Sequence, residues 1–184
     1  IAILGVIAIA YFLGRSISVP ISKAVSSAEK IAAGDLSVDF DVNRKDEVGI
    51  LFRAMKKMAD NIKALVNDAK ILSDAAVQGK LATRADASKH QGDYKVIVQG
   101  VNDTLDAVIG PLNVAAEYVD RIAKGDIPNK ITDNYNGDFN EIKNNLNTAI
   151  DAVTLLVKDA NILAEAAVQG KLATRADASK HQGD

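Results

Sequence analysis

Apolar residues fall along this chain in several distinct patterns. Residues 1–13 form an unbroken apolar run that closes near Tyr11-Phe12 and is followed by Gly14 and Arg15. From Ile17 the pattern changes. Ile17, Ile21, Ala24, Ala28 and Ile31 step by four, three, four and three residues, the heptad seam of a coiled-coil helix. Gly34 is placed to stop that helix, because glycine adopts the positive φ of a helix terminus without penalty. Leu36, Val38, Phe40 and Val42 then alternate with polar residues. A lone strand without a partner is unstable, so residues 36–45 are predicted to be an extended connector. Asp46-Glu47 puts negative charge at the next helix start, where the helix dipole favours it. Val48, Leu51, Met55, Met58, Ile62 and Leu65 form a second seam.

Self-similarity extends this unit along the chain. Residues 68–93 and 159–184 differ only at Lys70/Asn161, Ser73/Ala164 and Asp74/Glu165, a repeat of 91 residues. Within it lies a shorter period. Gly34-Asp35-Leu36, Gly79-Lys80-Leu81, Gly125-Asp126-Ile127 and Gly170-Lys171-Leu172 fall 45, 46 and 45 residues apart. Acidic turns follow at Asp46-Glu47, Gly92-Asp93, Gly137-Asp138 and Gly183-Asp184. Leu112, Ala115, Val119 and Ile122, then Phe139, Ile142, Leu146, Ala149, Val153 and Leu156, repeat both seams. The expected organisation is the C-terminal part of a membrane helix (1–15), three modules (16–65, 66–111 and 112–157) and the truncated first half of a fourth (158–184). No loop separates the modules, so one helix from residue 46 to about 78 is expected to close one module and open the next. Its phase is ambiguous, Leu65 competing with Val66 and Leu72 with Ser73. Pro111, after Gly110, is expected to kink or interrupt the corresponding later helix.

Connector length fixes helix direction. An antiparallel hairpin needs only a few residues. Residues 35–45 span about 36 Å when extended, whereas residues 17–33 make a helix about 25 Å long. The connector therefore reaches back along the first helix, with Leu36 and Phe40 pinning it, and the two helices run parallel. Two narrow seams cannot bury themselves, so a second copy completes the expected fold: an all-α array of parallel four-helix coiled coils in a homodimer.

The apolar run of residues 1–13 is shorter than the roughly 20 residues of a membrane-spanning helix. It lacks a signal peptide's basic start and cleavage site, so it is read as the end of a span that begins outside the chain and contacts lipid. Aromatics followed by Arg15, Lys23 and Lys30 mark an exit to the cytoplasm, with residues after about 15 on that side of the inner membrane. The reading of this run as a buried helix of a soluble protein stays open.

Composition narrows the chemistry. Aromatic residues make up 4% of the chain and hydrophobic residues 48%, a mix suited to narrow helical seams. The net charge of −2 gives no cation excess for nucleic acid. Without cysteine there is no disulfide, zinc-thiolate site or thiol nucleophile. His90 and His181, the only histidines, occupy one repeated connector position with no second ligand evident in the sequence. They do not sit on a helix beside an acidic residue, as a phosphoacceptor would. No phosphate-loop spacing occurs. Asp46-Glu47 reads as helix capping rather than acid–base chemistry, and the Asn102-Asp103-Thr104 sequon as helix surface. No catalytic residue, cofactor, metal or small-molecule substrate is expected.

Pro20, Glu29, Gly34-Asp35-Leu36 and Asp46-Glu47-Val48-Gly49, following a membrane helix, resemble a HAMP domain. HAMP domains are the linkers of methyl-accepting chemotaxis proteins and sensor histidine kinases. Residues 66–157 resemble the divergent tandem units of poly-HAMP transducers. They depart at Lys80, which replaces the aspartate, and in both later acidic turns. The resemblance implies a membrane-bound dimer that relays a conformational signal to an output domain outside the chain. The residues it singles out are Pro20, Ile21, Ala24, Ala28, Ile31, Gly34, Leu36, Phe40, Asp46, Glu47, Val48, Leu51, Met55, Gly79 and Gly125. Small Ala24 and Ala28 with flexible Met55 and Met58 suit a seam of more than one packing. Three alternatives stay open: the relay region of a hybrid sensor histidine kinase, an inert coiled-coil spacer, and a module that itself binds a ligand.

Overall fold

The computed structural model describes residues 2–181, so the Gly183-Asp184 turn lies outside the described residues. Among these the regular elements are all helical: α1 (Ala2–Leu13), α2 (Val19–Ala32), α3 (Glu47–Val77), α4 (Asp93–Ala123) and α5 (Asp138–Val168). A π-helical turn occupies Gly14–Ser18, and single 3-10 turns occupy Ala87–Lys89 and Ala178–Lys180. The alternating stretch after Gly34 is extended and unpaired, as its isolation requires. Contacts group the chain into two units, Ile1–Asp103 and Thr104–Asp184.

In the first unit, α1, the π turn and α2 make one helical path. Its segment Ile3–Ala32, 30 residues, is long and apolar enough to cross a membrane by length and composition. The boundary expected near residue 15 is the π turn, not a break. Its cause lies at Pro20, which has no N–H to donate to the Ser16 carbonyl one turn earlier. The Val19 N–H instead reaches the Gly14 carbonyl.

Each helix end has a chemical reason. Gly34, Gly79, Gly125 and Gly170 sit at φ of +89°, +71°, +81° and +73°, just past the helix ends. The next N–H in each case turns back to a carbonyl five residues earlier: Asp35 to Lys30, Lys80 to Ala75, Asp126 to Arg121 and Lys171 to Ala166, at 2.8–3.0 Å. This double-bonded termination satisfies carbonyls that the helix would leave orphaned, at a φ that a Cβ would penalise. Pro111 is a different case, because α4 runs through it. The expected interruption is absent. Proline's fixed φ is itself helical, so the helix continues past it with one donor fewer.

Helix α3 is continuous for 31 residues and packs against α2. Ala24, Phe40, Val48, Phe52, Met55 and Ala59 form the buried cluster, with Ile31, Val38 and Val42 against it. The Phe40 and Phe52 rings lie 6.0 Å apart at 48°, a tilted aromatic pair. At the end of the connector the Arg44 side chain donates to the Ser16 carbonyl at 2.8 Å, which places the start of α3 beside the start of the α2 path. In the second unit Ile131 of the connector and Ile109, Ile150 and Ala166 of the helices are buried.

Candidate functional site

The junction where the apolar N-terminal helix gives way to the first pair of helices is held by a group of linked hydrogen bonds. Asp46 caps α3, its carboxylate accepting from the Gly49 N–H at 3.0 Å. Arg44 grips the same carboxylate, with Nε on Oδ1 at 3.1 Å and Nη2 on Oδ2, and also holds the Ser16 carbonyl. From the second turn of α3, Arg53 donates to the Arg44 carbonyl at 2.7 Å and the Val42 carbonyl at 3.2 Å. Gly49 makes this possible. A Cβ at that position would stand 2.1 Å from the Arg44 carbonyl oxygen.

The Arg44 guanidinium, and then the Gly49 N–H, hold the Asp46 carboxyl down from 3.8 to about 2. Both partners favour the ionised form. Since the folded value is the lower one, the cap's contribution is complete above about pH 4 and is lost as pH falls toward 2. An acid titration of helicity should therefore show a step in that window, and Asp46→Asn should abolish it.

The seam residues divide into two groups. Pro20, Ala24, Phe40, Val48 and Met55 are buried within the chain, while Ile31 and Leu36 are half-buried. Ile17, Ile21, Leu51 and Met58 remain 49%, 41%, 38% and 40% exposed. Ala28 and Glu47 are exposed as well. Gly34, Gly79 and Gly125 are helix terminators at positive φ. Heptad reading did not select Phe52, Arg44 or Arg53. Phe52 lies one residue beside the seam, and the arginines act through carbonyls that sequence does not mark.

Later connectors are fastened differently. Asn102 clasps the Ala85 backbone, accepting its N–H at 3.0 Å and donating to its carbonyl at 2.8 Å. In the second unit Asn147 clasps Ile131 in the same way, at 2.7 and 3.0 Å. Both asparagines stand ten residues after an acidic-turn glycine, Gly92 or Gly137, a recurrence visible in the sequence. The histidines also gain acidic neighbours in space. His90 Nε2 lies 2.6 Å from the Asp68 carboxylate, and His181 Nε2 lies 2.9 Å from that of Asp159. The sequence reading placed no acidic residue beside either. Each partner is 22 residues upstream, on the helix against which the connector folds.

Comparison with known proteins agrees with this geometry. A HAMP domain model matches residues 12–64, and a second HAMP domain model matches residues 89–154. The chain is 37% identical over 73 residues to the methyl-accepting chemotaxis protein McpC of Bacillus subtilis, covering 40% of this chain and 11% of that protein. It is 43% identical over 53 residues to the methyl-accepting chemotaxis protein TlpA of the same organism, covering 29% and 8%. A longer match, 25% identical over 126 residues, joins it to B. subtilis McpA and covers 67% and 19%. The chain thus spans about a fifth or less of the length of these curated relatives. No solved structure matches it. A capped helix pair matched as HAMP over residues 12–64, and a second HAMP match over residues 89–154, place the chain in the HAMP-domain family as a tandem array.

Proposed function

We propose that this chain is the relay segment of a chemotaxis transducer, a non-catalytic string of HAMP modules that carries a conformational signal from the membrane to an output domain beyond the chain. In this reading the modules are 16–65, 66–111, 112–157 and the partial 158–184, and residues after about 15 lie in the cytoplasm. Two copies associate in parallel. The observation that carries the reading is the divided seam of the first module. Ala24, Val48 and Met55 are covered within one chain, while Ile17, Ile21, Leu51 and Met58 on the adjoining edge are left open. A second copy presenting the same edge would bury those residues and complete a four-helix coiled coil. Membrane anchoring is supported by the apolar path Ile3–Ala32 and by the names of the relatives, which are chemotaxis transducers.

Cysteine cross-linking in the membrane tests it, on a background free of native cysteine. Single cysteines scanned through residues 17–31 and 48–65 should cross-link most strongly at Ile17, Ile21, Ala28, Leu51 and Met58, and the strength should change with stimulus. The same peaks without a stimulus response would indicate a spacer. A scan with no heptad period would overturn the parallel dimer.

A further inference from the structure

We propose that Arg44 is a positioning residue that ties the membrane-exit turn directly to the start of α3, so that a change of the turn reaches α3 without first passing through the seam. The inference rests on the relay reading. The polar groups form a continuous series: the Ser16 carbonyl, the Arg44 guanidinium, the Asp46 carboxylate and the Gly49 N–H. Each link has a chemical reason. Pro20 deprives the Ser16 carbonyl of its α-helical donor, and Arg44 Nη2 takes the vacant acceptor at 2.8 Å. Nε and Nη2 also donate to Asp46, and Asp46 in turn holds the first turn of α3. A planar fork can keep both acceptors at once, which the single ammonium of a lysine does far less well.

Ser16 lies inside the π turn Gly14–Ser18. A π turn carries one extra residue, and its conversion to α geometry would rotate the helix before it by about 100° relative to the helix after it. That conversion displaces the very carbonyl that Arg44 holds. The turn is the element with two arrangements, and Arg44 couples it to the second helix.

An alanine inserted after Phe12 in the full-length protein imposes the rotation, by about 100°, in membrane vesicles. Cross-linking is then read at Ile21→Cys on α2 and at Leu51→Cys on α3. In the otherwise native protein the insertion should change both. With Arg44→Ala, and equally with Arg44→Lys, the change at Leu51 should be lost while that at Ile21 persists. Pro20→Ala supplies the missing N–H to Ser16 and should also abolish the Leu51 response, with no further effect when combined with Arg44→Ala. Heptad-periodic cross-linking of each variant without the insertion shows that the module is folded. A Leu51 response that survives Arg44→Ala overturns the role of Arg44 alone. No response at either position in the native background overturns the relay reading, and this inference with it.

Discussion

Phe52→Ala should cost the first module about 3–5 kcal/mol, the range for removing a buried aromatic ring from a packed core. Phe52 is 5% exposed, and its ring meets Phe40 of the connector, which is 7% exposed. Truncation therefore leaves a cavity and also strips the connector of its main apolar anchor. Denaturant unfolding of the detergent-solubilised chain, followed by helicity, measures the loss. Phe52→Leu keeps most of the volume and should cost about 1 kcal/mol. The neighbouring Leu51, 38% exposed in a single chain, is the informative contrast. Its truncation should weaken association more than intrachain packing, so its cost should depend on protein concentration, while the cost of Phe52→Ala should depend on it far less. A loss below about 1 kcal/mol for Phe52→Ala would mean that the ring is not buried in this cluster.

Gly49→Ala sets two effects against each other. Alanine is the better helix former by about 1 kcal/mol. The added Cβ, however, would stand 2.1 Å from the Arg44 carbonyl oxygen and 2.6 Å from its carbon, both backbone atoms. Relieving that overlap pushes the connector off α3 and breaks the Arg53 bond to the same carbonyl, at a cost of about 3 kcal/mol. The clash should win, for a net loss of about 2 kcal/mol. Gly100→Ala in α4 supplies the control, since a Cβ there meets nothing within 4 Å. That substitution should be neutral or stabilise by up to about 1 kcal/mol. Thermal unfolding of the two variants should therefore move in opposite directions. A gain in stability for Gly49→Ala would rule out the close approach.

What could be read before the structure was whatever the chain encodes locally. Gly34 and its three equivalents end helices because a φ near +80° is a property of one residue. Asp46 caps α3 because its acceptor is three residues from the donor. The parallel course of α3 also followed from the sequence, through nothing more than the length of residues 35–45. Reading failed where partners are far apart in sequence. The Arg44 bond to Ser16 spans 28 residues and ends on a main-chain oxygen, which no side-chain pattern marks. The heptad seam passed over Phe52, because a two-copy seam and a one-chain core claim adjacent stripes of one helix. Pro111 was the opposite case. A local rule allowed a kink or an interruption, and the helix is not interrupted.

The near-identical segments 68–93 and 159–184 have a consequence at the level of inheritance. Each carries the end of a 31-residue helix, its glycine stop and its histidine–aspartate pair. Recombination between their coding sequences would delete or duplicate 91 residues, and the chain would read Asn-Asp-Ala across the join of a deletion and Lys-Asp-Ala across that of a duplication, both already present in it. Helical phase, helix stop and connector fastening would all survive such an exchange. Lineages could then gain or lose two modules at a time without passing through a misfolded ancestor, so the number of modules, more readily than their internal design, is open to evolutionary change.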